Sequence, residues 1–166
     1  MKTFNYTLNQ KPIESMIDFS IFKNEKNLLI QIFCGEKKDI LEYILNVIAK
    51  ELPQAVCIGS STDGEINNSQ ITTLNTVITI SVFKETTLKI VSVDEIDSFS
   101  NGVKLASLLC SEDTKLLITF TDGAKTNGEE FLNGVSSIND KMLVCGGMAG
   151  DNADFMQTFI SCQNKI

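Results

Sequence analysis

Histidine and arginine are both absent from this chain of 166 residues. Without histidine, the chain cannot itself form a Ser-His or Cys-His nucleophile pair or a zinc site with histidine ligands. Lysine, aspartate or tyrosine can replace histidine in catalysis, but the commonest base near neutral pH is missing. We therefore expect a protein that is not an enzyme, with no catalytic residue, no cofactor and no metal site.

Basic clusters are also missing. The net charge is -7, and all 14 basic residues are lysines. No segment combines a basic stripe with interleaved aromatic residues, the pattern that grips phosphate backbones. We expect no nucleic-acid partner.

Long apolar segments are absent as well. No run approaches the ~18 apolar residues that are needed to span a bilayer. The opening residues 1–5 lack the apolar region and cleavage site of a secretory signal. We therefore expect a cytoplasmic protein without membrane insertion.

The five cysteines are odd in number and contain no Cys-x-x-Cys pair. Reduced thiols in the core are the reading we prefer over a metal site or a disulfide framework. Cys57 and Cys145 end similar apolar runs, so we expect both to be buried. Hydrophobic content of 43% and charged content of 21% are ordinary for a soluble protein, and the length predicts a single domain over residues 1–166.

One sequence pattern occurs twice, over residues of about 28–64 and 116–152. Each copy runs from an apolar segment through a helical period to Val-Cys and a glycine turn that ends in aspartate. The shift of 88 is the same at the start, from Leu28 to Leu116, and at the end, from Asp63 to Asp151. We infer an internal duplication that places two related strands about a pseudo-symmetry axis.

Hydrophobic periodicity predicts the remaining elements. In chain order these are an edge strand near 4–8, a short helix after Pro12, strand 28–34, helix 36–52, strand 54–58, a hairpin of strands 73–83 and 86–93, helix 100–110, strand 115–121, helix 126–138, strand 142–145 and alternation over 155–161. Thr126 and Glu129 have the spacing of a capping box. The pattern predicts an α/β fold: one mixed sheet built from two duplicated βαβ-turn units, with an intervening β-hairpin and packed helices. The second copy has no complete hairpin after it, so we expect an amino-terminal fragment of a longer module or a partner that completes the sheet.

The two glycine turns are the candidate binding site. Their backbone amides can hold an anion, the hydroxyls of Ser60, Ser61 and Thr62 can add hydrogen bonds, and Asp63 and Asp151 can accept from an ammonium group. A zwitterionic ligand would fit. In the alternative interpretation the glycines only permit tight turns, and each aspartate binds the amides of its own turn. The candidate residues are Gly59, Ser60, Ser61, Thr62, Asp63, Gly147, Met148, Ala149, Gly150 and Asp151.

Familiar nucleotide and hydrolase motifs do not fit these turns. Residues 146–150 lack the G-x-G-x-x-G spacing, no Walker A sequence is present, and Gly64 falls one residue too late for G-x-S-x-G. A hydrolase or transferase that uses Thr62 or Ser61 as a nucleophile stays as an alternative, and a buried lysine near Thr62 would favour it. A dimerisation module for a signalling protein is the second alternative.

The turns also carry a family resemblance. Residues 58–66, Ile-Gly-Ser-Ser-Thr-Asp-Gly-Glu-Ile, resemble the G-C-S-T-A-G-E-I segment of FIST domains, and residues 146–151 resemble their G-G-L-A-G-D segment, in the same order. The resemblance covers residues of about 28–166, the amino-terminal portion of the family's module. It implies an intracellular sensory domain that binds small ligands such as amino acids. Ser60 stands where the family has cysteine, and Asp63 stands where it has a small residue.

The same resemblance implies the partners. FIST domains are joined to signalling output domains, so we expect a small-molecule ligand and an output domain or protein located elsewhere. A second copy of the chain is a further candidate partner.

Overall fold

The computed structural model describes residues 1–154 and 156–166. The elements in chain order are β1 (Lys2–Thr7), α1 (Ile13–Met16), a 3-10 turn (Phe19–Phe22), β2 (Asn27–Cys34), α2 (Lys38–Glu51), β3 (Val56–Ser61), β4 (Glu65–Asn67), β5 (Gln70–Thr72), β6 (Thr76–Phe83), α3 (Ser98–Leu109), β7 (Leu117–Thr121), α4 (Gly128–Ile138), β8 (Val144–Met148) and β9 (Ile160–Cys162). They divide between a first unit, residues 1–88 and 150–166, and a second unit, residues 89–149. The assignment of 1–166 to a single domain stays a prediction.

The first unit contains a mixed sheet in the order β1-β6-β2-β3-β9. β2 and β3 are parallel, and β6 runs antiparallel to both β1 and β2. The parallel pair requires a crossover, and α2 supplies it. Side chains of Ile30, Ile32, Leu41 and Ile44 are fully or almost fully buried in the core that contains both β2 and α2. The α/β fold with a mixed sheet is confirmed, and the opening strand lies at the sheet edge as expected.

In the second unit, two helices and two parallel strands enclose a smaller core. Ala106, Leu117, Phe131 and Val135 are its buried residues. α3 and α4 cross at two glycines. A side chain at Gly102 would lie within 2.9 Å of the Val135 nitrogen, and one at Gly134 within 3.0 Å of the Val103 nitrogen. The two helix backbones therefore touch, which only glycine permits.

The parallel strand pairs of the two units share one register. Leu29 pairs with Val56, and Leu117 pairs with Val144, so both partners shift by 88 positions (117 − 29 and 144 − 56). The next four residue pairs keep the same shift. This register supports the internal duplication, which stays a prediction.

The expectation that both copies share one sheet was wrong. Within the described residues, β7 and β8 form a sheet of their own. β6 already pairs with β2, and β9 already pairs with β3, so both strands of the first copy have their neighbours. Hydrophobic periodicity identifies strands but not their partners.

The predicted hairpin of 73–83 and 86–93 was also wrong in its second strand. In the described chain, residues 86–93 form no strand. β6 has both edges occupied, by β1 and by β2, so no edge is left for a following strand. The intervening hairpin instead consists of β4 and β5, with Ile66 opposite Ile71. Of the alternating segment 155–161, residue 155 lies outside the described residues and 160–161 fall within β9.

Two local predictions also need correction. α4 is capped by Asn127, whose side chain accepts from the amides of Glu129 and Glu130, so Thr126 does not start a capping box. Cys57 is buried, but Cys145 is exposed. Leu117 and Val144 face the helices, and neighbouring strand residues point to opposite faces. Cys145 therefore lies on the uncovered face. All five thiols are free.

Candidate functional site

The candidate site in the first unit lies where β2 and β3 end. Cys34 and Ser61 are partners in the parallel register, so the two strands end at the same edge of the sheet. The amide of Thr62 donates to the carbonyl of Cys34 at 3.1 Å, which holds the turn after β3 against β2. Ligands of open α/β sheets usually bind at this carboxyl edge.

Serine hydroxyls at the end of β3 are used by the fold itself. Ser60 Oγ donates to the carbonyl of Ser61 at 2.9 Å, and Ser61 Oγ accepts from the amide of Phe159 at 2.8 Å. Both side chains are buried. At Gly59 a side chain would lie 2.6 Å from Ser161 Oγ, so glycine lets β9 pack closely. Gly59, Ser60 and Ser61, which the sequence suggested as ligand contacts, are therefore in contact with other parts of the protein.

Glu65 is a buried carboxylate at this edge, with 1% of its surface exposed. Its Oε1 accepts from the hydroxyl of Thr62 at 2.6 Å, and its Oε2 accepts from the hydroxyl of Thr72 at 3.3 Å. Any side chain at Gly35 would collide with this carboxylate. Sequence reasoning missed Glu65, although it follows Gly64 within the FIST-like segment.

A second carboxylate, that of Glu36, lies two residues after the end of β2. Its Oε2 accepts from the hydroxyl of Thr76 at 2.7 Å. Burial raises the pKa of the adjacent Cys34 thiol, and the charges of Glu36 and Glu65 raise it further against the opposing bond from Thr76. The edge is therefore acidic, and the Cys34 thiol stays protonated there.

Asp63 joins the two motif segments. Its Oδ1 accepts from the amides of Asp151, at 2.8 Å, and Ala153, at 3.4 Å. The amide of Gly150 donates to the carbonyl of Ser61 at 2.9 Å. A side chain at Gly150 would lie 2.5 Å from Asp63 Oδ1, so glycine is required there. The Asp63 turn and residues 150–153 are thus in direct contact.

The carboxylate of Asp151 supports the loop that follows it. Its Oδ2 accepts from the amides of Met156 and Gln157, at 2.7 and 3.1 Å. Asn152 Nδ2 donates to the carbonyl of Gly35 at 2.9 Å and so ties this loop to the end of β2. Asp151 thus binds amides of the segment that follows it, close to the alternative interpretation, whereas Asp63, within the described residues, binds amides of the other motif and not of its own turn. The ligand role of both residues stays a prediction.

Gly147, Met148 and Ala149 belong to the second unit. Gly147 pairs with Phe120 and Met148 with Thr121. Ala149 donates its amide to the carbonyl of Thr121 at 2.8 Å and is buried. Their predicted part in ligand binding stays a prediction.

Three further features bear on function: the exposure of Lys125, metal-binding side chains and membrane-spanning helices. The Lys125 side chain is 85% exposed and lies 3.8 Å from Asp122, so it is not the buried lysine that would favour catalysis. Among the described residues, no group of three cysteine, aspartate or glutamate side chains could hold a metal ion. None of the helices in the described chain is long and apolar enough to cross a membrane.

Comparison with known proteins gives one family. The model of the FIST N domain matches residues 28–166. No curated protein and no solved structure matches the chain. The matched region includes both glycine turns.

Proposed function

Because this chain belongs to the FIST N domain family, whose members are sensory domains of signalling proteins, we propose that it is a cytoplasmic sensor of a small molecule. The ligand we propose is an amino acid. The signal passes to an output domain or protein located elsewhere, without catalysis.

The observation that carries this proposal is that the two carboxylate oxygens of Asp63 differ in their hydrogen bonds. Oδ1 holds the amides of Asp151 and Ala153, whereas Oδ2 has no hydrogen-bond partner in the part of the chain that the structure describes. The side chain is exposed at the carboxyl edge of β3. An ammonium group could pair with Oδ2 without breaking the bonds of Oδ1.

A sensor also needs a way to report occupancy. The Asp63 carboxylate, which we propose binds the ligand, also holds the main-chain amides of residues 151 and 153. Charge drawn toward Oδ2 weakens Oδ1 as an acceptor, so binding would loosen the loop of 150–154. This loop is the element through which we expect the signal to leave the site.

A thermal-shift screen against the amino acids, followed by calorimetry of each hit, tests the proposal. Asp63→Asn keeps an oxygen for the loop amides but removes the charge. A charge-assisted hydrogen bond contributes about 1.5 to 3 kcal/mol, so affinity should fall roughly tenfold or more. Asp94→Asn makes the same change of charge at an exposed position and should bind as the wild type does. Equal affinity in Asp63→Asn would contradict the assignment.

The hydrolase or transferase alternative gains support from the Thr62 to Glu65 hydrogen bond of 2.6 Å. A buried carboxylate can act as the general base for a threonine nucleophile. Peptide mapping by mass spectrometry after incubation with activated esters would then show an acyl group on Thr62 itself, apart from any on lysine. That modification should be lost in Thr62→Val and appear on the serine of Thr62→Ser, whereas a wild-type Thr62 that stays unmodified favours the sensor.

A further inference from the structure

A cavity beside the β4–β5 hairpin of the first unit has a lining without charged side chains. Its volume is about 180 Å³, and it lies between the β4–β5 hairpin and the end of β1. Every lining side chain carries an amide or a hydroxyl, and none carries a charge. The lining residues are Thr7, Asn9, Asn67, Asn68, Gln70 and Thr72.

Two tight turns build this cavity. Asn68 and Ser69, which join β4 to β5, have φ angles of 50° and 62°. Asn9 and Gln10 have φ angles of 52° and 59°, and Lys11 donates its amide to the carbonyl of Leu8. Both are turns with two successive left-handed residues, a geometry in which asparagine is favoured at the first position. The first residue of each turn lines the cavity.

Internal hydrogen bonds fix part of the lining and leave the rest for a ligand. Asn67 Nδ2 donates to Thr7 Oγ1 at 2.8 Å, and Asn75 Nδ2 donates to Asn9 Oδ1 at 3.1 Å. Within the described chain, Asn67 Oδ1 and Asn9 Nδ2 have no protein partner. The side chains of Asn68 and Gln70 are exposed, and their side-chain amide groups make no hydrogen bond to the described residues. The cavity therefore offers acceptors and donors together.

We propose that this cavity binds a small neutral polyol. A hydroxyl group donates to an amide oxygen and accepts from an amide nitrogen, so it matches both halves of the lining. A charged ligand would find no counter-charge among the lining side chains, and an apolar ligand would find only the methyl groups of two threonines. A cavity volume of about 180 Å³ has room for a polyol of three or four carbons.

NMR titration with erythritol tests this proposal. We expect saturable shifts of the side-chain amide signals of Asn9, Asn67, Asn68 and Gln70, with an affinity that does not depend on salt because the ligand is neutral. Shifts that rise linearly without saturation, or that spread evenly over the chain, would overturn it.

Variants separate binding from folding. Gln70→Ala removes an exposed amide without breaking an internal hydrogen bond, and it should weaken erythritol binding at least threefold with an unchanged spectrum elsewhere. Asn133→Ala, an exposed change on α4, should leave binding unchanged. Equal affinity in wild type and Gln70→Ala, combined with equal affinity in Asn68→Ala, would contradict the proposal. Neither variant touches Asp63, so the proposed amino-acid site is tested independently.

Discussion

The carboxylate oxygen Oδ1 of Asp63 accepts a hydrogen bond from the main-chain amide nitrogen of Asp151 at 2.8 Å. These two aspartates end the two copies of the sequence pattern, 88 positions apart. The bond therefore connects the two segments that resemble the family motif. It also gives residues 150–153 an anchor at the carboxyl edge of β3.

Removal of this anchor should loosen the loop. Asp63→Ala deletes the acceptor of two amides, so we expect a loss of about 1 kcal/mol in the free energy of unfolding. Hydrogen exchange of the Asp151 and Ala153 amides should accelerate, while Asp63→Asn should show a smaller change. Unchanged exchange in Asp63→Ala would mean that the loop is held by other contacts.

Asp151→Ala separates the two interpretations of the second motif. If Asp151 binds the ammonium group of a ligand, the variant should weaken amino-acid binding roughly tenfold or more and keep its fold. If its carboxylate serves only Met156 and Gln157, unfolding should become easier while affinity stays the same. Calorimetry and urea unfolding of the same variant decide between them.

The glycine crossing of α3 and α4 should not tolerate a side chain. Gly134→Ala places a methyl group against the backbone of α3, which should cost about 1 to 3 kcal/mol or more because backbone atoms cannot move aside. Gly147→Ala is the matched control, since no atom lies within 4 Å of its added carbon. Urea unfolding should show a lower midpoint for Gly134→Ala alone.

The start of α4 can be tested in the same way. Asn127→Ala removes the side-chain acceptor for two amides and should destabilise the protein by about 1 kcal/mol. Thr126→Ala should change stability little. A larger loss in Thr126→Ala than in Asn127→Ala would restore the capping box that the sequence indicates.

Cys57 should make stability fall at alkaline pH. Burial, with a smaller effect of the neighbouring Cys162, raises the pKa of Cys57 from 9.0 to about 12. Between pH 9 and 12 the Cys57 thiol keeps its proton in the folded state and loses it in the unfolded state. The contribution of this thiol to the free energy of unfolding is therefore full below pH 9 and is lost as the pH rises toward 12, by up to about 4 kcal/mol. Urea unfolding from pH 8 to 11 should show a shallower decline in the free energy of unfolding for Cys57→Ala than for the wild type, and an equal decline in both would contradict this prediction.

Local patterns of the sequence identified most elements because they depend on neighbouring residues. The apolar stripe of α2 and the continuous apolar run of β2 lie within two residues of their predicted bounds. Alternation at 86–93 suggested a strand that would pair with β6. Both edges of β6 are taken by β1 and β2, which are distant in the sequence, and alternation carries no information about such pairing. Cys145 has the same local pattern as Cys57, but the cover that buries Cys57 is a tertiary feature.

The candidate site shows the same limit. Its glycines and aspartates were visible as a turn motif, and Asp63 and Asp151 do meet in the structure. The burial of Glu65 could not be predicted, because Thr72, one of its two hydroxyl partners, lies opposite it only when β4 and β5 form their hairpin. A carboxylate that is held by strand pairing leaves no pattern in the hydrophobic periodicity of the sequence.

NMR titration with the amino acids tests the central claim most directly, because it reports both binding and its position. For an amino acid that binds, we predict saturable shifts of the amides of residues 61–64 and 150–154, and their loss in Asp63→Asn but not in Asp94→Asn. Saturable shifts confined to other parts of the chain, or shifts at residues 61–64 that persist unchanged in Asp63→Asn, would contradict the account.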